Sequence, residues 1–263
     1  MSVPTYSIVV PAYNEGSRIG ACLDQVLHYA TQQNWETETV VVNDGSIDET
    51  AAIVRTYSQR DVRVRLVENP GNRGKGYSVR NGMRHARGEI LLFTDADLSA
   101  PIREAAKLVA ALRSGADVAI GSRWMRPELM TERQPAYRQL LGRMFNLALR
   151  LGLGLKFKDT QCGIKAFTRP AALQLFSRQR IERWGFDPEL LFLARRLGLR
   201  TVEVPVDWAH DERSKIHPFR DGMQMVFELA CIRWYALRGR YKGSPPSMPE
   251  EVPEKQNFAP AKR

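Results

Sequence analysis

Short runs of Val, Ile and Leu alternate with segments of helical periodicity along the first 120 residues of the chain. Strands that are buried on both faces of a parallel sheet have this near-continuous apolar character, and the helices that connect them cover the two faces. The pattern therefore predicts an α/β fold with a mostly parallel central sheet and helices on both faces. The predicted strands are residues 6–11, 39–42, 64–67, 90–93 and 117–120, and the predicted helices are residues 15–33, a segment from residue 48, residues 75–86 and a segment after Pro101.

The second half of the chain has a different pattern. Apolar residues recur at helical spacing in residues 136–153 and 220–238, which predicts amphipathic C-terminal helices. Two further strands, 163–167 and 201–206, are predicted with a helix at 188–197 between them.

The chain ends in a polar stretch. Its last 20 residues carry five of the 15 prolines and almost no large apolar side chains, a composition typical of disorder. We therefore expect a single domain over residues 1–243, with halves at 1–132 and 133–243, followed by a disordered Pro-rich tail at 244–263.

Three scattered cysteines, Cys22, Cys162 and Cys231, exclude a disulfide scaffold and a cysteine-rich zinc site. No run of 18 uncharged apolar residues is present, so no transmembrane helix is expected. The N-terminus lacks the pattern of a signal peptide. These features predict a cytoplasmic protein.

Basic residues outnumber acidic ones by 39 to 29, which gives a formal net charge of +10. Residues 133–243 contain 21 basic and 10 acidic side chains, so the excess lies in the second half. A positive field attracts phosphates, anionic lipid headgroups or nucleic acid. A solvated basic surface that only aids solubility explains the charge equally well.

Asp95 and Asp97 are separated by one residue and follow the predicted strand 90–93. Ligands bind outside the carboxyl ends of parallel strands, and two carboxylates there can lean toward one divalent cation. Mg²⁺ usually takes one or two carboxylates together with substrate phosphate oxygens. A solvated turn with a helix N-cap is the alternative interpretation.

Two loops follow the first and second predicted strands. The backbone amides and Tyr13 of residues 11–15 could hold a nucleobase. Gly45 allows a tight turn that would aim Asp44 into a cleft. A proline-terminated strand and an ordinary strand-to-helix turn are the simpler interpretations of the two loops.

Glycines and basic residues alternate in residues 72–76, just before a predicted helix. Arg73 and Lys75 bring positive charge to the start of that helix, a combination that favours phosphate. Arg123 follows the predicted strand 117–120 and offers a guanidinium to phosphate oxygens. Together, the loops at one edge of the predicted sheet indicate a nucleoside-diphosphate site with a metal.

Six segments of the sequence resemble glycosyltransferase family 2, in particular its dolichyl- and polyprenyl-phosphate glucosyl- and mannosyltransferases. The segments are SIVVPAYNE, VVNDGSIDET, NRGKG, GEILLFTDADLSAP, IGSR and DTQCGIKAF, and they occur in the family's order over about residues 5–240. The resemblance implies a GT-A fold, an inverting mechanism, a nucleotide-sugar donor, and Mg²⁺ or Mn²⁺ as cofactor. Asn43 departs from the family, which often has a second Asp at this position.

The resemblance also implies site residues, carried over by position. Residues 1–132 would form the nucleotide-sugar and metal half, and residues 133–243 the acceptor and membrane half. Pro11, Tyr13 and Glu15 would line the nucleoside pocket, and Asp44 would also contact the nucleoside. The donor would further contact Lys75, Asp95 and Arg123, and the metal would be held by Asp95 and Asp97.

An inverting transfer needs a general base opposite the leaving nucleotide. A lipid phosphate oxygen is already anionic at neutral pH, so a positive clamp that positions it would matter more than a base. Asp159 is the first candidate for a base or an acceptor-positioning residue, and Asp187 and Glu189 are the alternatives. An N-cap before Pro188 explains Asp187 equally well.

The charged loop after the predicted strand 201–206 contains Arg213, Ser214 and Lys215. We expect these residues to clamp the acceptor phosphate or to close over the donor. A solvated charged loop is the alternative.

Two predicted helices combine apolar faces with basic residues. No acidic residue occurs from 133 to 158, and residues 223–238 join Met, Phe, Trp and Tyr side chains to flanking Arg and Lys. Such a pattern suits a helix that lies in a lipid interface. Packing on the sheet would explain the apolar residues but not the missing acids. We therefore expect peripheral binding to the cytoplasmic face of a membrane, where a polyprenyl-phosphate acceptor resides.

The sequence does not name the sugar or decide between UDP and GDP. The wider match over VVNDGSIDET and DTQCGIK favours glucose transfer from UDP-glucose to a polyprenyl or dolichyl phosphate. Mannosyl transfer from GDP-mannose, or transfer to a soluble or other lipid acceptor, is the alternative.

Two other classes fit the sequence less well. A nucleotidyltransferase usually carries a Gly-rich basic loop after the first strand, which residues 11–17 are not. A single-strand nucleic-acid binder interleaves aromatic with basic residues, and this chain does not. We therefore expect no nucleic-acid partner.

Overall fold

Strands and helices alternate along the chain in the computed structural model, which describes residues 4–125, 147, 149, 152–209 and 218–242. The strands are β1 (Tyr6–Ala12), β2 (Thr37–Asn43), β3 (Val64–Glu68), β4 (Ile90–Phe93), β5 (Val118–Ser122), β6 (Lys165–Thr168) and β7 (Thr201–Pro205). The helices are α1 (Ile19–Gln32), α2 (Thr50–Arg60), α3 (Lys75–His85), α4 (Ala105–Arg113), α5 (Arg169–Arg178), α6 (Phe186–Arg196) and α7 (Pro218–Leu237). A 3₁₀ turn, Ile102–Glu104, precedes α4.

The predicted elements of the described segments are present. Each of the seven predicted strands begins and ends within two residues of its expected position. Helix α5 was missing from the prediction, because its ten residues contain only a short apolar stretch around Leu175 and Phe176. Pro170 lies in its first turn, where proline's fixed φ suits a helix start.

The seven strands form one sheet in the order β3-β2-β1-β4-β6-β5-β7. β6 pairs antiparallel with β4 on one side and with β5 on the other. All other neighbouring strands pair in parallel. The expectation of a mostly parallel sheet is therefore confirmed, with one reversed strand near its centre.

Successive residues of each central strand face two separate apolar layers. In β1, Ile8 and Val10 pack in the layer that contains α1, α2 and α4. Val9 packs in the opposite layer, with α3, α5, α6 and α7. This alternation follows from the twofold periodicity of a strand, and it confirms that helices cover both faces.

Some predicted segments lie outside the described residues. These are most of the predicted helix 136–153, the basic loop around residue 214 and the tail 244–263. The proposed domain boundaries therefore stay predictions. Among the described residues, no helix is both long enough and apolar enough to cross a membrane.

Gly82 lets α3 approach β1 and β2 closely. A Cβ at this position would lie 2.8 Å from Val42 Cγ2 and would collide with Val9.

We expect Gly82→Ala to lower the free energy of unfolding in urea by about 1–3 kcal/mol, because overpacking outweighs the gain in helix propensity. Gly20→Ala in α1 is the matched control. Its Cβ would meet Tyr57 Oη at 3.6 Å, an ordinary contact, so its stability should stay equal or rise. Equal losses in both variants would contradict this account.

Candidate active site

The carboxyl ends of β1, β2, β4 and β5 meet at one edge of the sheet, which we call the cleft edge. Because β6 is antiparallel, its first residue also lies there: Lys165 is in register with Phe93 of β4 and Ile120 of β5. The loops singled out in the sequence therefore converge. They are residues 11–15, 44–48, 95–97 and 121–123.

Asp95 and Asp97 follow β4 and lie beside the amino group of Lys75. Lys75 Nζ is 2.5 Å from Asp95 Oδ1. The Ser99 backbone N–H donates to Asp97 Oδ1 at 2.9 Å. A Cβ on Gly163 would collide with the Asp95 carboxylate, so glycine is needed there for this side chain to pack.

The electrostatics of this pair favour an added cation. Burial raises the pKa of Asp97, and the negative charge of Asp95 raises it further. Burial acts to lower the pKa of Lys75, but the charges of Asp95 and Asp187 outweigh it and raise that pKa above its ordinary value. The carboxylates thus hold Lys75 charged and still repel each other.

The donor set fits a hard divalent cation. Two carboxylates supply the oxygen ligands that Mg²⁺ and Mn²⁺ prefer. In the part of the chain that the structure describes, no group of three or more Asp, Glu, His or Cys residues could hold a metal. Two carboxylates leave coordination positions for water and substrate oxygens, which is common for Mg²⁺ beside a phosphate.

Asp44 follows β2 and folds the loop that leads into α3. Its Oδ1 accepts hydrogen bonds from the Arg73 N–H at 2.9 Å and from Asn69 Nδ2 at 2.8 Å. Its Oδ2 accepts from the Gly74 N–H at 2.8 Å. Gly74 has a φ of 103°, a left-handed value that favours glycine, and it directly precedes Lys75. Asp44 therefore positions Lys75, and its contact with a nucleoside stays a prediction.

The loop after β1 is joined to the loop after β2. The Asn14 N–H donates to Ser46 Oγ at 2.9 Å. Tyr13 exposes its side chain at this end of the cleft edge, and Pro11 and Glu15 are half-buried on either side of it. The structure thus brings together the three residues predicted to line a nucleoside pocket.

Arg123, which is partly exposed, and the buried Asp159 form a bidentate pair beyond β5. Arg123 Nε lies 2.7 Å from Asp159 Oδ2, and Nη2 lies 2.9 Å from Oδ1. The guanidinium also stacks over Trp208, 5.4 Å from the ring centroid. Burial acts to raise the pKa of Asp159, but Arg123 outweighs it and holds that pKa below its ordinary value. A carboxylate with a lowered pKa is a weak base. The lowered pKa and the bidentate contact therefore favour Asp159 as a residue that positions Arg123.

Asp187 lies in the first turn of α6 and is paired with a lysine that the sequence analysis missed. Lys165 Nζ is 2.6 Å from Asp187 Oδ1 and 2.8 Å from the Cys162 carbonyl oxygen. Lys165 is completely buried. The available signal was a lone charge within the apolar run 162–167, since a lysine in a buried strand requires a partner.

Glu189 is placed differently from the other predicted catalytic carboxylates. It is completely buried, and its oxygens accept hydrogen bonds from the Arg180 and Ile181 N–H groups and from Tyr241 Oη at 2.6 Å. These contacts tie the turn after α7 to the loop before α6. The geometry gives Glu189 a structural role and no access to a substrate, so it does not support the predicted part in catalysis.

The predicted acceptor clamp cannot be placed against these residues. Arg213, Ser214 and Lys215 lie outside the described residues. Their role stays a prediction.

Burial raises the pKa of Glu189 to about 7, against hydrogen bonds that favour its ionised form. The pKa of Glu189 is therefore higher in the folded protein than in the unfolded one, and keeping its carboxyl protonated stabilises the fold. This contribution is complete below about pH 4.5 and is lost as the pH rises through about 7. We expect wild type to lose about 3 kcal/mol of unfolding free energy between pH 4.5 and 8 relative to Glu189→Gln. Chemical denaturation of both proteins across this range measures the difference. Parallel pH profiles would show that Glu189 does not titrate in this way.

Comparison with known proteins places the chain in a family. Residues 7–176 match the model of Glycosyl transferase family 2. The chain is 39% identical over 249 residues to a dolichyl-phosphate beta-glucosyltransferase of Drosophila melanogaster, covering 90% of this chain and 76% of the relative. It is 34% identical to a human protein of the same name, covering 90% and 77% of the two chains.

Solved structures support the fold. Glucosyl-3-phosphoglycerate synthase from Mycobacterium tuberculosis superimposes with a TM-score of 0.66 at 22% identity, covering 87% of this chain and 80% of the synthase. At that identity the similarity concerns the fold, which is the GT-A fold expected from the sequence. The family match and the curated relatives together show that the chain belongs to glycosyltransferase family 2.

Proposed function

We propose that this protein transfers glucose from UDP-glucose to a dolichyl or polyprenyl phosphate, with inversion at the anomeric carbon. The observation that carries the proposal is the row of charges along the cleft edge. Asp95, Asp97 and Lys75 suit a metal-bound diphosphate, and Arg123 lies two strands further along. Relatives named dolichyl-phosphate beta-glucosyltransferase match about nine-tenths of the chain and favour glucose over mannose.

The nucleotide part of the donor would lie across β2, β1 and β4, which are neighbours in the sheet. Its nucleoside binds beside the loops after β1 and β2, and its diphosphate beside Asp95, Asp97 and Lys75. Mg²⁺ or Mn²⁺ held by the two aspartates would offset the charge that builds up on the diphosphate as the sugar leaves. The mycobacterial synthase has been crystallised with UDP together with Mn²⁺ or Mg²⁺, which supports this arrangement.

The acceptor would approach from the side of β5. Its phosphate oxygen is already anionic, so the protein has to position it and neutralise its charge while it attacks. Arg123 was predicted to contact the donor, but its place beside β5 favours the acceptor phosphate instead. Asp159 and the face of Trp208 hold its guanidinium there. Arg213 and Lys215 are expected to complete the clamp.

Helix α7 supports a membrane-surface location. Phe227 is 69% and Leu237 is 87% exposed, and Trp234 is also exposed on the same helix. The guanidinium groups of Arg238 and Arg240 lie 5.3 and 5.0 Å from the Trp234 ring centroid. Exposed apolar residues with flanking basic groups suit the interface of an anionic bilayer, where the proposed acceptor is anchored.

Nucleotide binding tests the donor site. By isothermal titration we expect UDP to bind in the presence of Mn²⁺ and GDP to bind at least about tenfold more weakly. Asp97→Asn should weaken the Mn²⁺-dependent binding of UDP about tenfold or more, because one of two metal ligands is lost.

The matched control for Asp97→Asn is Glu89→Gln. Glu89 is an exposed acid at the opposite end of β4, so its replacement should leave UDP affinity unchanged. Preference for GDP would indicate mannosyl transfer from GDP-mannose. Failure of the folded protein to bind either nucleotide would contradict the proposed donor.

Vesicle binding tests the membrane surface. We expect the wild type to sediment with vesicles of phosphatidylcholine and phosphatidylserine, and Phe227→Ser combined with Leu237→Ser to reduce the partition coefficient about tenfold or more. Val62→Ser is the control, since Val62 is 68% exposed but lies far along the chain from α7. Equal partition of the wild type and the α7 variant would argue against this surface.

A further inference from the structure

The two carboxylate oxygens of Asp187 differ in their contacts with the described part of the chain. Oδ1 accepts a hydrogen bond from Lys165 Nζ at 2.6 Å, whereas Oδ2 accepts none from any residue that the structure describes. The side chain is only 7% exposed. Oδ2 is not among the sealed polar atoms that lack a partner, so a ligand that brings a hydrogen-bond donor can reach it.

The surroundings place Asp187 inside the cleft. Its charge acts on both Lys75 and Arg123, so its carboxylate lies within electrostatic reach of both cations. Lys165, which holds it, begins β6 at the cleft edge, and β6 adjoins β4, the strand that leads to Asp95.

The order of the strands matches the order of the groups in a nucleotide-sugar. Along the cleft edge the strands are β2, β1, β4, β6 and β5. With the nucleoside at β2 and β1 and the diphosphate at β4, the sugar falls at β6, about 4.8 Å further along. Lys165 and Asp187 occupy that position.

The chemistry of a carboxylate oxygen limits which part of the substrates Asp187 can bind. Asp187 Oδ2 only accepts hydrogen bonds in its ionised form, and it repels anions. The diphosphate and the acceptor phosphate are both anionic, whereas the hexose is neutral and rich in hydroxyl donors. The acceptor phosphate also carries no proton that a base would have to remove.

Lys165 explains why Asp187 keeps this orientation. Its Nζ binds both Asp187 Oδ1 and the Cys162 carbonyl oxygen, and it lies 5.4 Å from the centroid of the Phe93 ring. Apolar residues of the same size are often at least as stabilising as a buried ion pair. The pair therefore contributes a fixed direction for the carboxylate more than it contributes stability.

We propose that Asp187, oriented by Lys165, accepts a hydrogen bond from a hydroxyl group of the donor hexose and thereby determines which hexose is transferred. This inference rests on the proposed function, since it takes a nucleotide-sugar as the ligand. Asp187 is then a specificity-determining residue, and Lys165 is a positioning residue.

The test compares UDP-glucose with its 2-, 3-, 4- and 6-deoxy analogues as donors to dolichyl phosphate. In the wild type, removal of the hydroxyl that Asp187 binds should lower kcat/KM about 10- to 100-fold. In Asp187→Asn the same removal should change kcat/KM less than about threefold. Lys165 would hold the amide oxygen of the asparagine, and the amide NH₂ would then face the sugar. It could only donate to the hydroxyl oxygen, in a neutral contact weaker than the one a carboxylate accepts.

Two further variants separate this role from a structural one. Lys165→Met combined with Asp187→Leu removes both charges, so no buried ion is left unpaired. This double variant should no longer distinguish UDP-glucose from the deoxy donor that the wild type uses poorly. Lys165→Arg keeps a cation on Asp187 and should retain the discrimination even where kcat falls. UDP lacks the sugar, so its Kd in the presence of Mn²⁺ should stay within about threefold of the wild-type value in all variants.

The outcomes distinguish the two proposals. Equal penalties for every deoxy donor in the wild type and the variants would overturn the role of Asp187. A folded variant that loses UDP affinity would also overturn it, because the pair would then serve the nucleotide. If the wild type itself binds no UDP and uses no nucleotide-sugar, the proposed function fails and this inference fails with it.

Discussion

A charge removed from water must be paired, and this constraint shapes the whole cleft edge. Breaking one partner out of a buried ion pair costs about 3–5 kcal/mol, so each cation fixes its carboxylate and each carboxylate fixes its cation. The sheet supplies the rigid frame, and the pairs set the direction of every charged group that faces the substrates. Lys165 with Asp187 is the buried pair of this kind, and two partly exposed pairs, Arg123 with Asp159 and Lys75 with Asp95, lie along the same edge.

This arrangement is well suited to reactions between anions. Charges that are already oriented need no reorganisation when negative charge moves from one substrate to another. Asp44 extends the same principle to the backbone, because its carboxylate binds two successive N–H groups and so fixes the start of α3, where Lys75 lies. The positive groups are thus held by the fold before any ligand arrives.

Much of this could be predicted from the sequence, and the failures have a common cause. Runs of branched apolar residues indicate buried strands in the sequence. The loops that follow these strands carry residues such as Asp95 and Asp44 at the cleft edge. Pairings between distant residues leave no such local signal. Lys165 and Asp187 are separated by 21 intervening residues, a strand and a helix, and spacing alone does not reveal their contact. The same limit applies to Glu189, whose burial depends on a turn after α7, and to the reversed direction of β6.

The reversal of β6 has a topological consequence. β5 ends and β6 begins at the same edge of the sheet, so the connection between them starts and finishes beside the cleft. The described end of this connection is tied to the fold, because Leu153 and Leu155 pack in an apolar layer and Asp159 pairs with Arg123. The loops beside the predicted nucleoside and metal sites belong to other connections. Sequence changes between these fixed points would therefore act on the β5 side of the cleft, whereas the loops after β1 and β2 belong to separate connections.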